Sequence, residues 1–491
     1  MKESEFVVIG GGPGGVAAAI EAAKAGVNVA LLDENERLGG QVFRQFEKGF
    51  KVADPDALGM DFNEGQELLL QFSSLQDQIR YLNNTLVWGI FKDHTLALAR
   101  NGTSSNLSFK HLLVATGAYD RPVPFPGWTL PGVFTAGGAQ KLVKSERVLP
   151  GENILLAGTG PLQVVLADQI LKAGGKIEAI LEAGNFGKQW LQGLIGIWGN
   201  WDFLKEGLRY WHSIRKAGVP LLRSHIVLEA RGDGQVEEAV IAKVDKNWRP
   251  KLNTARSVKV DTICLGYGLV SSTELTMLAE CEHKYDLRLG GYIPLRKANM
   301  ETSVPGIYAV GDGAGVAGKK VAIIEGCIAG ISAACSLGYL SSTIARERIK
   351  PYQKRLNKIN RFRKILDDIS LPRKGLYELA TDETVICRCE EVTLKQLKAA
   401  LADDTIQIKD FKRMTRMGMG SCEGRMCGPS AIEMMRHRLN APAEDIGCLR
   451  PRPSIKPVAL GVLAANNTMS MVSGVSVQVS GRDRGQRTEN K

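Results

Sequence analysis

No cysteine occurs before Cys264 in this chain of 491 residues, and no stretch of it reads as an export signal or a membrane span. The N-terminus passes from Met1 to Glu5 straight into the apolar run Phe6–Ile9, without the charged, apolar and small-residue zones of a secretory leader. The longest apolar stretch, Val321 to Leu340, carries Glu325 and is rich in Gly, Ala and Ser, so a buried helix suits it better than a transmembrane one. None of the six histidines sits in a recognisable catalytic context, which removes the commonest general base. Acids are short as well: 52 against 63 bases leave a net charge of +11. With 44% hydrophobic and 23% charged residues the composition is that of an ordinary globular protein, which excludes disordered, collagen-like and disulfide-scaffold classes. Nine cysteines in a chain without an export signal point to a reducing compartment, where close-spaced thiols bind metal more often than they pair. The expectation is a cytoplasmic protein of about three domains.

What is abundant is glycine, 54 residues against a usual frequency of about 7%. Six residues in a row explain part of it: Gly10-Gly-Gly12-Pro13-Gly14-Gly15 follows the strand-like Phe6–Ile9 and opens an alanine-rich helix. A second strand, Asn28–Leu32, then ends at Asp33. This is the dinucleotide loop in its full β-α-β context, with an acid about 20 residues on. Gly10 permits the tight turn, Gly12 lets backbone approach a pyrophosphate, and Gly15 allows close helix–strand packing. The helix N-terminus directs free N–H groups at the phosphates. Asp33 is placed to accept from a ribose diol, with Glu34 beside it as the second candidate.

Three further segments narrow the cofactor. Leu112-Leu-Val-Ala-Thr116-Gly117-Ala118 is a short buried strand ending in a small-residue turn. Residues 302–312 form a strand ending in Gly311-Asp312, and Gly39-Gly40-Gln41 with Arg44 makes a third element. In these the chain resembles the flavoproteins with two dinucleotide domains, the family of glutathione and thioredoxin reductases. The resemblance implies FAD, with Thr116 and Gly117 in the family's turn, Asp312 on the ribityl chain, and Gly40, Gln41 and Arg44 in the flavin-side loop.

A second loop is damaged. Asn153–Ala157, Gly158-Thr-Gly160-Pro-Leu-Gln163 and a strand ending at Glu182 repeat the pattern, but Gln163 replaces the third glycine. Trp190, Trp198, Trp201 and Trp211 crowd the stretch that follows, as core, partner surface or plug. NAD(P) is therefore a doubtful ligand. Disulfide reductases of the resembled family also need a redox cysteine pair near the flavin. Neither Gly39–Arg44 nor Gly132–Gln140 contains one, so electrons require another exit.

Four cysteines provide a candidate. Cys387-Arg-Cys389 is followed, well downstream, by Cys422-Glu-Gly-Arg-Met-Cys427, amid Gly418, Gly420, Gly424 and Gly428. Glycine lets backbone N–H groups turn toward sulfur, and Arg388 and Arg425 add positive charge beside an anionic centre. Zinc on four thiolates is the rival reading, although C-x-C is not a usual zinc spacing. Cys264, Cys281, Cys327, Cys335 and Cys448 lack such spacing and default to packing. The cysteine segment resembles the bacterioferritin-associated-ferredoxin-like [2Fe–2S] domain, which implies Cys387, Cys389, Cys422 and Cys427 as cluster ligands.

Between flavin motifs and cysteines, the segment from Arg346 to Lys374 holds eleven bases and three acids, a net +8. Leu356, Ile359, Phe362, Ile365 and Leu366 recur at helical spacing, so the segment reads as an amphipathic basic helix. It is a solvated face over a packed stripe, or a docking surface for an acidic partner or an anionic membrane. Nucleic acid is excluded as a partner because no recognition fold accompanies the charge. The expected organisation is an α/β chain with two Rossmann-like domains: 1–117 with 286–345 for FAD, and 118–285 inserted and degenerate. A basic helical linker at 346–380, a [2Fe–2S] domain at 381–455 and a partly disordered tail at 456–491 complete it.

As a whole the chain resembles the FAD/[2Fe–2S] large subunits of heteromeric amino-acid and amine dehydrogenases. That family includes the A chain of opine oxidase, the B chain of hydrogen cyanide synthase and the alpha chains of proline and hydroxyproline dehydrogenases. Cys387–Thr393 and Gly418–Gly428 carry most of the resemblance. It implies a partner, a glycine-oxidase-like flavoprotein subunit that oxidises the C–N bond, with room for a small third subunit. It also implies a quinone-linked acceptor and a further flavin, FMN, at the subunit interface. The rival from another class is an autonomous NAD(P)H-dependent reductase using the same cluster; a third reading is a scaffold that keeps a nucleotide structurally.

Overall fold

The computed structural model describes residues 2–46, 49–50, 60–184, 201–401 and 407–464. Trp190, Trp198, the side chain of Trp201 and the tail after Ala464 lie outside the described residues, as do the side chains of Phe362, Ile365 and Leu366.

The first β-branched run becomes β1 (Lys2–Ile9), which enters α1 (Pro13–Lys24) through the glycine loop and continues to β2 (Val29–Leu32). Pro13 starts the helix where its missing N–H costs nothing. β3 (Ile79–Leu82), β4 (Thr85–Phe91), β5 (Thr95–Arg100) and β6 (Thr103–Val114) complete a sheet in the order β3-β2-β1-β6-β5-β4. β1, β2, β3 and β6 run parallel, while β4 and β5 form an antiparallel flap. The chain leaves through β7 (Ala118–Asp120) and builds a second, all-parallel sheet. It consists of β8 (Val133–Thr135), β9 (Asn153–Gly158), β10 (Lys176–Glu182) and β11 (Leu221–Arg223), with α2 (Pro161–Lys172) after β9. A meander of β12 (His225–Arg231), β13 (Glu238–Lys243) and β14 (Arg256–Lys259) precedes β15 (Thr262–Gly266), which lies between β9 and β8. β16 (Leu269–Ser271) pairs with β7, and the hairpin of β17 (His283–Asp286) and β18 (Gly291–Pro294) follows. β19 (Ile307–Ala309) then rejoins β6 in the first sheet. Two nucleotide-type sheets are thus joined by two crossings of the chain, and in open α/β sheets ligands bind beyond the C-terminal ends of the parallel strands.

The glycine- and alanine-rich stretch forms α3 (Lys319–Ser336), buried along most of its length against α1. Its one acid is not a stray. Glu325 accepts two bonds of 2.8 Å from Arg296 and one of 2.9 Å from Gly311 N–H, so it neutralises a partly buried cation and props the Gly311-Asp312 turn. Among the described residues no helix is long and apolar enough to cross a membrane.

The basic segment differs from its expected span. It is helix α4 (Ser342–Ser370), capped by Ser341, and it stops before Pro372 rather than running to Lys374. Nor is it a free-standing linker, because Leu356 and Ile359 are buried in the same core as α1 and α3. The last module holds the short pair β20 (Val385–Cys387) and β21 (Val392–Thr393) and the helix α5 (Gly428–Leu439), around its own core of Ile386, Phe411, Met417 and Ile446.

One buried network fastens this module to the dinucleotide body. Glu433 on α5, fully buried, accepts from Arg436 at 2.7 and 3.0 Å and from the Tyr285 hydroxyl of β17. Arg121, 3% exposed at the end of β7, lies within electrostatic reach of Glu433, Tyr285, Tyr377 and Tyr119 and donates to Leu269 O at 3.2 Å. Ser430 Oγ donates to Pro122 O at 2.6 Å, and Trp128 Nε1 to Val385 O at 2.7 Å. Removing the carboxylate leaves the buried Arg121 and the partly exposed Arg436 without their shared acid. Glu433→Ala is expected to cost about 3–5 kcal/mol in urea unfolding. A loss below about 1 kcal/mol would show that the network is not what holds the module.

Candidate functional site

The first loop is assembled largely from its own backbone. A Cβ on Gly15 would sit 1.9 Å from Gly10 O, so helix and strand could not approach as they do with any side chain there. Gly39 N–H donates to Gly11 O at 2.8 Å, and a Cβ on Gly40 would lie 2.8 Å from the Gly12 Cα. The Gly39-Gly40-Gln41 segment is therefore packed directly on the dinucleotide loop. Thr116 Oγ1 donates to Ser272 O at 2.6 Å, and a Cβ on Gly313 would come within 2.8 Å of the Thr116 oxygen. The turn at Thr116-Gly117 and the turn at Gly311-Asp312 thus adjoin, although the whole second sheet separates them in sequence.

Asp33 has a different first duty from the one its position suggests. Its Oδ2 accepts from Gly11 N–H at 2.6 Å, and its Oδ1 accepts from Asn35 N at 2.7 Å and Asn35 Nδ2 at 2.9 Å. The carboxylate ties the end of β2 to the glycine loop; burial raises its pKa, and these donors pull the other way. Glu34 is exposed and pairs with Lys456. Asp312 is half-buried, and desolvation raises its pKa, while Ala317 N–H at 2.7 Å and Gly318 N–H at 2.9 Å both donate to its Oδ1. Its Oδ2 has no such bond among the described residues. Arg363 of α4 reaches the same loop and donates to Val316 O. Arg44 bonds Gln41 at 3.0 Å, and its Nε is buried without a partner among the described residues. Arg44 lines a cavity of about 500 Å³ with Phe43, Phe62, Lys144 and Arg147.

The second loop is closed from both sides. Gln163, 2% exposed, lies against Gly266 at the end of β15, where a Cβ would be 3.3 Å from the Gln163 Cγ. The bare backbone of Gly266 makes room for the long side chain that stands in place of the third glycine. Neither amide atom of Gln163 has a hydrogen-bond partner among the described residues. Above the loop, Ser370 at the end of α4 sits over Gly160, its Oγ 3.1 Å from where a Cβ would be. Glu182 folds back as Asp33 does: it accepts from Gly184 N–H at 2.8 Å, and burial pushes its pKa up to about 7. Trp211 is exposed on the helix Trp201–Lys216 and does not close the loop.

The four spaced cysteines fall into two pairs. Cys387 and Cys427, both buried, share a thiol hydrogen bond, as do Cys389 and Cys422 nearer the surface. Cys387 is pulled down to about 5 by Cys427, helped by the N–H groups of Gly418, Glu390 and Cys389; Cys427 is pushed up in turn. Gly424 and Met426 N–H groups point at Cys422. Gly420 is required by close approach, since a Cβ there would lie 2.1 Å from Cys389 Cβ. Arg388 stacks over Trp128 at 5.5 Å, while Arg425 pairs with Glu274 at 2.7 Å. Among the described residues no three His, Cys, Asp or Glu side chains form a group that could hold a metal ion. Cys264, Cys281 and Cys327 are buried packing residues, and His437 packs against Tyr377 at 5.8 Å.

Sequence reasoning missed Asn35, Arg296, Glu325 and Ser370. Only Asn35 had a local signal, an Asx pattern two residues beyond Asp33.

Comparison with known proteins agrees with this geometry. Residues 4–334 match the family model of pyridine nucleotide-disulphide oxidoreductases, and residues 381–467 match the sarcosine oxidase A3 domain. The chain is 37% identical over 455 residues to hydrogen cyanide synthase subunit HcnB of Pseudomonas aeruginosa, covering 92% of this chain and 96% of that protein. It is 33% identical over 475 residues to the A chain of opine oxidase from Rhizobium meliloti, covering 94% and 87%. The L-proline dehydrogenase structure from P. horikoshii has the same fold, with a TM-score of 0.68 at 20% identity over 94% of this chain and 79% of that one. The chain therefore belongs to the pyridine nucleotide-disulphide oxidoreductases, a flavin-dependent family, in the group of oxidase subunits that contains HcnB and the opine oxidase A chain.

Proposed function

We propose that this chain is the electron-relaying FAD/[2Fe–2S] subunit of a heteromeric dehydrogenase acting on an amino acid or secondary amine, such as an opine, a proline-like compound or glycine. A glycine-oxidase-like partner subunit carries the substrate site, and a quinone-type acceptor receives the electrons. The observation that carries this reading is the division of four thiols into an inner buried and an outer accessible pair, on a module fastened to a dinucleotide-binding body. When bound, a flavin takes two electrons and returns them singly, and a [2Fe–2S] centre carries one.

The chain's own residues do the holding. Gly10 and Gly12 in the loop and Pro13, Gly14 and Gly15 in the first turn of α1 would direct free N–H groups at a pyrophosphate. Asp33 keeps that loop in shape and would accept from a ribose diol, with Glu34, paired to Lys456, beside it. Asp312 keeps one oxygen for the ribityl chain, and Gly40, Gln41, Arg44, Thr116, Gly117 and Gly311 close around the ring side. Cys387, Cys389, Cys422 and Cys427 would be the ligands of the cluster, and inward-pointing N–H groups would stabilise its thiolate charge. A mononuclear zinc site needs all four around one point, which the pairing does not favour. The cavity of about 500 Å³ beside the flavin-side loop is a place where FMN could enter with a partner subunit.

The alternative of an autonomous NAD(P)H-dependent reductase needs the second loop open, and Ser370 and Gln163 argue against it. Purified alone, the chain is expected to show no rapid flavin bleaching with NADH or NADPH. In complex with its partner, an amine should bleach it; fast reduction by a nicotinamide alone would sink the proposal. Cys389→Ser with Cys422→Ser is expected to abolish acid-labile sulfide while leaving flavin content unchanged. Retention of one zinc per chain, with no sulfide in the wild type, would instead assign a structural metal. Asp312→Ala should weaken flavin retention by about tenfold or more in equilibrium dialysis, as loss of a charged hydrogen bond does.

A further inference from the structure

Helix α4 carries more positive charge than its packing uses. Ala345, Leu356 and Ile359 are buried, with Ile349 and Tyr352 packed beside them, and they define the face turned to the core. Arg346, Lys350, Lys354 and Lys358 recur at every fourth position, and at 100° per residue this ladder lies on the opposite side of the helix. All four are exposed, as are Arg361 in line with them and Arg348 and Arg355 at the flank. None of the seven forms an ion pair with a described carboxylate. Glu347 is the only acid among residues 346–361.

Such an arrangement works against the helix that bears it. Like charges four residues apart repel, and the ladder stacks three such pairs in succession over about 18 Å. An ordinary solvated face alternates signs so that pairs attract. Here the repulsion is relieved by an anionic surface along the stripe, as it is screened by salt.

We propose that the exposed stripe of α4 is a docking surface for an anionic lipid bilayer. Charge complementarity with a lipid surface is favoured over an acidic protein by the residue types. Three of the four rungs are lysine, a residue depleted from protein interfaces but effective at anionic headgroups. The stripe runs along a helix that carries Pro351 between its rungs, and none of its residues lines any of the three cavities. Ile344, two residues before the first rung and 44% exposed, adds an apolar group that a headgroup region accepts. The inference is independent of which cofactors the chain carries.

The test uses the full chain and sedimentation with vesicles of phosphatidylcholine, alone or with about 30% phosphatidylglycerol, at low salt. Binding is expected only to the anionic vesicles and should be released by about 0.5 M salt. The variant R346Q/K350Q/K354Q/K358Q should bind about 100-fold or more weakly, from roughly tenfold or less per cation removed. It should also melt no earlier than the wild type, because the repulsion is gone. A control of equal charge change on the β13–β14 side, K246Q/K251Q/R256Q/K259Q, should keep binding. Equal binding to neutral vesicles, wild-type binding by the ladder variant, or equal loss in the control would overturn the proposal. So would retention on immobilised poly-glutamate with no vesicle binding, which would assign the stripe to an acidic protein.

Discussion

The buried carboxylate of Glu433 is the constraint around which the domains are arranged. It answers Arg436 on its own helix, Arg121 at the exit of the first dinucleotide unit, and the Tyr285 hydroxyl of the hairpin before β19. Those groups come from three regions far apart in the chain. Taking charges out of water costs several kcal/mol each, so the arrangement tolerates only one docking of the cysteine module. Because the thiol pairs ride on that module, their position relative to the flavin-side turns is set by the same contacts. Trp128 adds a second tether, with its indole bonded to Val385 just before Cys387 and its ring under Arg388.

The two glycine loops are built by one device used twice. Each acid at the end of its second strand is spent partly on its own loop: Asp33 on Gly11 and Asn35, Glu182 on Gly184. What differs is the space above. The first loop is overlain by Gly40, whose bare backbone leaves room at Gly12. The second is overlain by the end of α4. A helix that reads as a linker therefore reaches three places at once: the core beside α1 and α3, the Asp312 loop through Arg363, and the second nucleotide loop through Ser370.

Much of this was legible in the residues. The loops, the strand ends and the Gly311-Asp312 turn stood out because each couples a local conformation to a nearby residue type, and the paired cysteines stood out by spacing. What could not be read was whatever depends on partners distant in sequence. Glu325 looked like a blemish in an apolar stretch until Arg296 and the Gly311 N–H were found against it. Arg121 gave no sign that it would be buried, since its compensation lies on α5, in the last module of the chain. Gln163 was recognisable as a misfit, but the glycine that accommodates it, Gly266, belongs to a strand added only after the meander of β12 to β14.

Gln163 and Gly266 also bear on how reversible the second loop's condition is. Restoring glycine at 163 would open a void beside Gly266, and a side chain placed at 266 to fill it would meet Ala136. Even a well-filled repair would leave Ser370 over Gly160. At least two changes in different elements must coincide before the loop could again admit a ligand, and either alone brings only the cost of a hole or an unpacked helix end. Drift back toward the three-glycine motif is therefore uphill at its first step, a ratchet made from one amide and one hydroxyl.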